Sequence, residues 1–185
     1  MTINGDVGDE HLSDQYHDTF DPKSEPASDA VFASVAEATG TDPDELEPIE
    51  SVVDPIVFDA LIRRRRRPIQ ISFVYHGHHV TVDTDGEIRI HNSEKAPRSE
   101  FEWVFDVDEP PSHGVVQAIS AVKEVEPIEM DSLYDSIDPN ALDAIFSDTT
   151  DDGESDIRVS FRVDDLEIEV SEDGRVTFRP MTAVA

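Results

Sequence analysis

Apolar residues recur along this chain in two rhythms. Ile69–Tyr75, His79–Asp83, Glu87–His91, Ile157–Val163, Leu166–Ser171 and Arg175–Arg179 alternate apolar and polar positions. Phe101, Trp103, Phe105 and Val107 do the same, separated by Glu102, Val104 and Asp106, and Tyr16–Phe20 is a shorter segment of the kind. Period two with aromatic and β-branched residues predicts strands. Other apolar residues fall at helical spacing: Val31, Val35 and Ala38; Phe58, Leu61 and Ile62; Val115, Ile119 and Val122; Leu142, Ile145 and Phe146. Each such stripe predicts a helix buried on one side.

Punctuation supports this reading. Ser28 and Ser112 stand where an N-cap would accept amide hydrogens. Asp54-Pro55 and Asp138-Pro139 place an aspartate cap before a proline suited to the first helical position. Asp59 and Asp143 then fall in the first turns of those helices, where negative charge is favoured. Asp42-Pro43-Asp44-Glu45 predicts a short helical turn, echoed by Glu126-Pro127-Ile128-Glu129. Asp85-Gly86 and Asp173-Gly174 supply turn residues suited to positive φ.

The order of these elements occurs twice. Val31–Ile62 aligns with Val115–Phe146 without gaps, and Ile71–Ile90 aligns with Val159–Phe178 after a four-residue insertion. A repeat this long indicates duplicated domains, not a solenoid. Each copy reads strand, helix, short helix, helix, three strands. The fold class is therefore α+β: two tandem copies, each with helices on one face of an antiparallel three- to four-stranded meander. The expected boundaries are a disordered segment over 1–14, a first copy over 15–95, a second over 96–180 and a tail over 181–185. At about 80 residues each copy is near the lower limit for an independent core. The copies are accordingly expected to pack together as a pseudo-dimer.

Composition changes the picture in one respect. The chain has 43 acidic and 14 basic residues, a net charge of -29, and its only lysines are Lys23, Lys95 and Lys123. Acids spread over the whole length would repel one another in dilute salt. At about 1 M salt the Debye length is roughly 3 Å and the repulsion is screened. A salt-loaded cytoplasm accounts for this better than nucleic-acid mimicry, which calls for acids clustered on one face. No cysteine is present, so disulfides and thiolate sites are excluded. Neither a signal-peptide pattern nor a membrane-length apolar run occurs, and a soluble cytoplasmic protein without cofactor is expected.

The segment Leu133-Tyr134-Asp135-Ser136-Ile137-Asp138-Pro139-Asn140-Ala141-Leu142-Asp143-Ala144-Ile145-Phe146, with the hairpin Val159–Val170 after it, resembles the signature of the halobacterial output domain, type one. The resemblance covers about Phe101 to Phe178. The first copy shares Asp54-Pro55, Asp59-Ala60-Leu61, Phe73 and Asp85-Gly86, but has Ile49-Glu50-Ser51 where the second has Leu133-Tyr134-Asp135. Members occur in salt-adapted archaea, alone or attached to signalling proteins. The resemblance implies a signalling or regulatory output role and supplies no catalytic residues.

Chemistry-bearing candidates are few. Arg63, Arg64, Arg65, Arg66 and Arg67 follow a helix, where the second copy has the acidic run Ser147–Asp156. The arginines suit the helix dipole, an acidic loop, an acidic partner protein or a phosphate backbone. Trp103 and Tyr134 are further interaction candidates. His76, His78 and His79 sit at a hairpin turn and rank last, as metal ligands without a cysteine to assist; His76 and His78 are the best-placed pair. No nucleophile elbow or phosphate-cradling glycine loop is present. The chain reads as a non-enzymatic signalling module that binds a protein partner. The alternative is a nucleic-acid-binding regulator using Arg63–Arg67.

Overall fold

The computed structural model describes residues 15–63, 68–91, 101–104, 109–124, 126, 133–147 and 156–181. In the first copy, strand β1 (Gln15–Thr19) precedes helix α1 (Ala27–Thr39). Two 3-10 turns (Pro43–Glu45, Ile49–Ser51) and helix α2 (Pro55–Arg63) lead to strands β2 (Ile69–Tyr75), β3 (His78–Asp83) and β4 (Glu87–His91). The second copy repeats the plan with β5 (Phe101–Val104), α3 (Pro111–Lys123), α4 (Leu133–Ser136), α5 (Pro139–Ser147), β6 (Arg158–Val163), β7 (Leu166–Ser171) and β8 (Arg175–Pro180). The expected strands are all present, with bounds moved by one residue at Gln15, Thr19, His78, Arg158 and Pro180. The remainder of the strand expected over Phe101–Val107, the turn at Pro127–Glu129 and the segments 1–14 and 182–185 lie outside the described residues.

All eight strands form one antiparallel sheet in the order β1-β4-β3-β2-β6-β7-β8-β5. The order reads the same from either end, with the first strand of each copy at an outer edge. The copies meet where β2 pairs with β6, Ile69 opposite Phe161, Ile71 opposite Val159 and Ser72 opposite Arg158. Ile71 and Val159 are equivalent positions of the repeat, so the seam is centred on that pair.

The helices cover one face. Along each strand alternate residues point into them: Ile71 and Phe73, Val80 and Val82, Ile88 and Ile90, Val159 and Phe161, Ile168 and Val170, Val176 and Phe178 are all buried. Period two places every one of these on the same side of the sheet. From the helices come Val31, Val35, Phe58, Leu61 and Ile62, with Val115, Ile119, Leu142 and Ile145. Phe58 meets Phe73 edge to face at 5.6 Å, a favoured aromatic geometry. The buried residues of both copies form one cluster, and α2 packs on α5 across the seam. Val122 does not complete its stripe as expected. It lies in the last turn of α3 and is 45% exposed.

The capping differs from the sequence expectation. The N-caps of α1 and α3 are Pro26 and Pro110, neither of which makes a side-chain cap. Ser28 and Ser112 lie inside their helices and act as donors instead. The Ser28 amide donates to Asp59 Oδ1 at 2.8 Å, and its hydroxyl to Oδ2 at 3.0 Å. Ser112 donates to Asp143 in the same way, at 2.7 Å in both bonds. Asp59 and Asp143 thus do more than suit their own helix. Each carboxylate serves as cap for the preceding main helix, whose N-terminal amides and dipole favour an anion. Asp54 and Asp138 cap as expected, accepting from Ile56 at 2.8 Å and from Asn140 at 3.0 Å. Asp42 accepts from Asp44 at 3.1 Å.

Two stability predictions follow from this packing. Asp59→Ala or Asp143→Ala strips both acceptors from a serine at the start of a helix, and each should cost about 1–3 kcal/mol. Denaturant unfolding in molar potassium chloride would measure it. Gly86 has φ +87°, and an added Cβ would stand 2.0 Å from the Phe20 carbonyl oxygen, whereas Gly77 has φ +75° with nothing within 4 Å. Gly86→Ala should therefore cost roughly 2–4 kcal/mol. Gly77→Ala should cost about 1–2 kcal/mol, from its backbone conformation alone. Equal losses would show that the Phe20 contact is absent in solution.

Candidate interaction surface

The face of the sheet away from the helices is polar. Strand alternation puts Gln70, Ser72 and Val74 of β2 on it, with His79, Thr81 and Asp83 of β3 and Glu87, Arg89 and His91 of β4. In the second copy it carries Arg158, Ser160 and Arg162 of β6, Glu167, Glu169 and Ser171 of β7, and Arg175, Thr177 and Arg179 of β8. The registers arrange these in rows. Arg89, Thr81, Ser72 and Arg158 lie side by side. So do Gln70, Ser160, Glu169 and Thr177, and likewise Arg162, Glu167 and Arg179. Ser72, Thr81 and Ser160 are buried although no described element caps the face, because they are small and stand among longer neighbours. The result is a shallow groove of about 270 Å³ crossing the seam, with Arg89 and Asp83 on one wall and Arg162 and Glu167 on the other.

The two halves of this face differ in charge. β6 carries Arg-Val-Ser-Phe-Arg and β8 carries Arg-Val-Thr-Phe-Arg, with only Glu167 and Glu169 between them. Arg158 is held by Asp156 at 2.8 Å and lies 3.8 Å from Glu169. Burial would lower its pKa, but the bonds and charge of Asp156, with Glu169, outweigh this and raise it. Asp156 itself has φ +40°. Arg175 pairs with Asp173 at 2.8 Å, and Arg179 stands 3.8 Å from Glu167. Arg162 is exposed and has no ion pair among the described residues.

The first copy has histidines where the second has charged residues. His79 faces His91 in register, ring centroids 6.5 Å apart. Burial depresses the His79 pKa, Arg158 and His91 lower it further, and Asp156 opposes them. The His79 Nε2 is buried without a hydrogen-bond partner among the described residues. Asp83 binds Arg89 at 2.5 Å, yet burial outweighs that attraction and raises its pKa.

The residues singled out from sequence are scattered. Arg63 is exposed at the last turn of α2, and Arg64–Arg67 lie outside the described residues, as does the acidic run Asp148–Ser155. Trp103 is in β5 opposite Val176, and Tyr134 is in α4. His76 and Gly77 form the tight β2–β3 turn with φ +50° and +75°. The His78 Nδ1 lies 2.9 Å from the His76 carbonyl oxygen, which binds that nitrogen locally. Among the described residues no group of three or more histidines or acids is arranged to hold a metal ion. Sequence reasoning missed Arg158, Arg162, Arg175 and Arg179. Their signal was the repeated Arg-Val-(Ser/Thr)-Phe-Arg, in which period two brings both arginines to one face.

The Halobacterial output domain 1 family matches residues 23–92 and 107–180, and the chain belongs to that family. It is an α+β protein made of two copies of the domain. No curated protein and no solved structure matches the chain. No helix among the described residues is long and apolar enough to cross a membrane.

The His79 environment predicts a pH effect. With the folded pKa below the ordinary value of 6.5, the unfolded chain binds this proton more readily. The associated stability is present above pH 6.5 and is lost as pH falls through the folded pKa. His79→Gln should therefore flatten the fall in stability between about pH 7.5 and about pH 5.5. Unfolding midpoints across that range decide it, and parallel curves for the two proteins would contradict it.

Proposed function

We propose that this chain is a non-catalytic output module that acts by binding a protein partner in a high-salt cytoplasm, with its two copies working as a built-in dimer. The observation that carries this is the seam. Equivalent residues Ile71 and Val159 face each other, the arrangement of an isologous two-fold contact. Joining the copies there creates a continuous open face that neither copy possesses alone. Interaction through such a joint surface needs no reactive group. The residues shared by the copies support a non-catalytic reading, since Asp54, Asp59, Asp138 and Asp143 are accounted for as caps. Family membership supports an output role.

Affinity capture of the full chain from native cells at molar potassium chloride tests the proposal. Nuclease-treated and untreated halves should yield the same protein in comparable amount. A partner recovered only without nuclease would replace this reading with nucleic-acid binding through Arg63–Arg67. Recovery of no specific protein from either half would overturn it.

A further inference from the structure

We infer that the protein assembles as an exchanged dimer, in which β2 of one chain pairs with β6 of another and the reverse pairing completes a second sheet. Such assembly is independent of the partner-binding function proposed above.

The sheet order places β4 second and β5 eighth, six strand spacings apart. At about 4.7–4.9 Å each, those spacings amount to about 28–29 Å across the sheet. Every pairing between the two strands is antiparallel, and six reversals leave β4 and β5 parallel. A chain leaving His91 therefore returns along the strands as well as crossing them. Even neighbouring parallel strands take about a dozen residues or more to connect. Residues 92–100 supply nine, with a proline and no glycine among them. Ten Cα steps from His91 to Phe101 reach about 33–36 Å at full extension. The helices stand on one face, and a helix is about 10–12 Å thick, so a detour over them exceeds that reach. A closed chain thus leaves its connection almost no slack. Pairing within one chain loses its advantage as a linker nears the limit of its span, and short connections under strain favour exchange between chains.

Nothing in the seam selects its own chain. Ile71 and Val159, equivalent positions of the repeat, face each other in register, and α2 packs on α5 across the seam. These contacts are the same when the two copies belong to different chains. Exchange keeps them, keeps the shared buried cluster in each unit, and lets the connection join two units instead of spanning one. The open face then becomes a joint site. Its groove has Asp83 and Arg89 on one wall and Arg162 and Glu167 on the other, so one chain supplies each wall and neither completes the groove alone.

The chain has no cysteine, which makes the pairing directly readable. Gln70 and Ser160 face each other across the seam, and facing residues lie about 4.5–5.5 Å apart at Cα, within disulfide range. Q70C and S160C chains, mixed in denaturant, refolded together by dilution into about 2 M potassium chloride and oxidised, should give a disulfide-linked dimer containing one chain of each kind. Recovery of unlinked chains alone would overturn the inference. So would a linked dimer from either variant oxidised by itself, since like copies would then be pairing. Sedimentation of the unmodified chain in the same salt should show twice the mass of one chain. Inserting about twelve glycine and serine residues after Pro97 should restore the closed monomer and weaken the dimer at least roughly tenfold. A monomeric wild type, or an equally strong dimer with the longer connection, would also overturn it.

Discussion

The pairing of β2 with β6 is the contact on which the rest of the molecule depends. Each copy alone would have a four-stranded sheet with an open inner edge, and an unpaired edge is a template for unwanted association. Pairing Ile69 with Phe161 and Ile71 with Val159 closes both inner edges at once. It also merges two small cores into one buried cluster, which relieves the shortage of interior that a domain of this size faces. The strands left at the outside are β1 and β5. β1 presents exposed polar residues, including His17 beside Glu87 at 3.1 Å.

The second organising device is the pair of carboxylates that tie helix to helix. Asp59 and Asp143 project from α2 and α5 to the first turns of α1 and α3. A side chain from one element thereby satisfies the free amides of another, and the crossing of the two helices is fixed by hydrogen bonds as well as by packing. β1 is joined to this layer by its own carboxylate, Asp18, which accepts from the buried Ser34 hydroxyl at 2.7 Å. The start of β2 is anchored likewise, with the Ile69 amide donating to Thr84 at 3.2 Å and the equivalent Ile157 amide to Glu172 at 3.2 Å.

The strands, the four main helices and the duplication were legible in sequence because each leaves a local periodic trace. Caps were legible only where the capping carboxylate and the amide that donates to it are adjacent, as at Asp54 and Asp138. Ser28 has the residue type of a cap, but its acceptor lies in a different helix, and no local pattern reports such a partner. The sheet seam was hidden for the same reason: Ile71 and Val159 look like any other strand positions. The short helix at Leu133–Ser136 leaves no periodic trace, since four residues carry no period. Charge was legible only where it is consecutive. Five consecutive arginines are conspicuous in a list of residues, whereas Arg158, Arg162, Arg175 and Arg179 become a patch only after the sheet aligns β6 with β8.

Fusing two copies into one chain has a consequence that separate subunits would not share. In a symmetric homodimer every substitution appears twice, so a basic strip on one half must be mirrored on the other. Here the duplicated halves have drifted apart, leaving histidines and Asp83 at one end of the open face and arginines at the other. The sheet consequently has a direction. A ligand lying across its strands would be distinguishable from the same ligand reversed, and the matching stoichiometry would be one ligand to one chain.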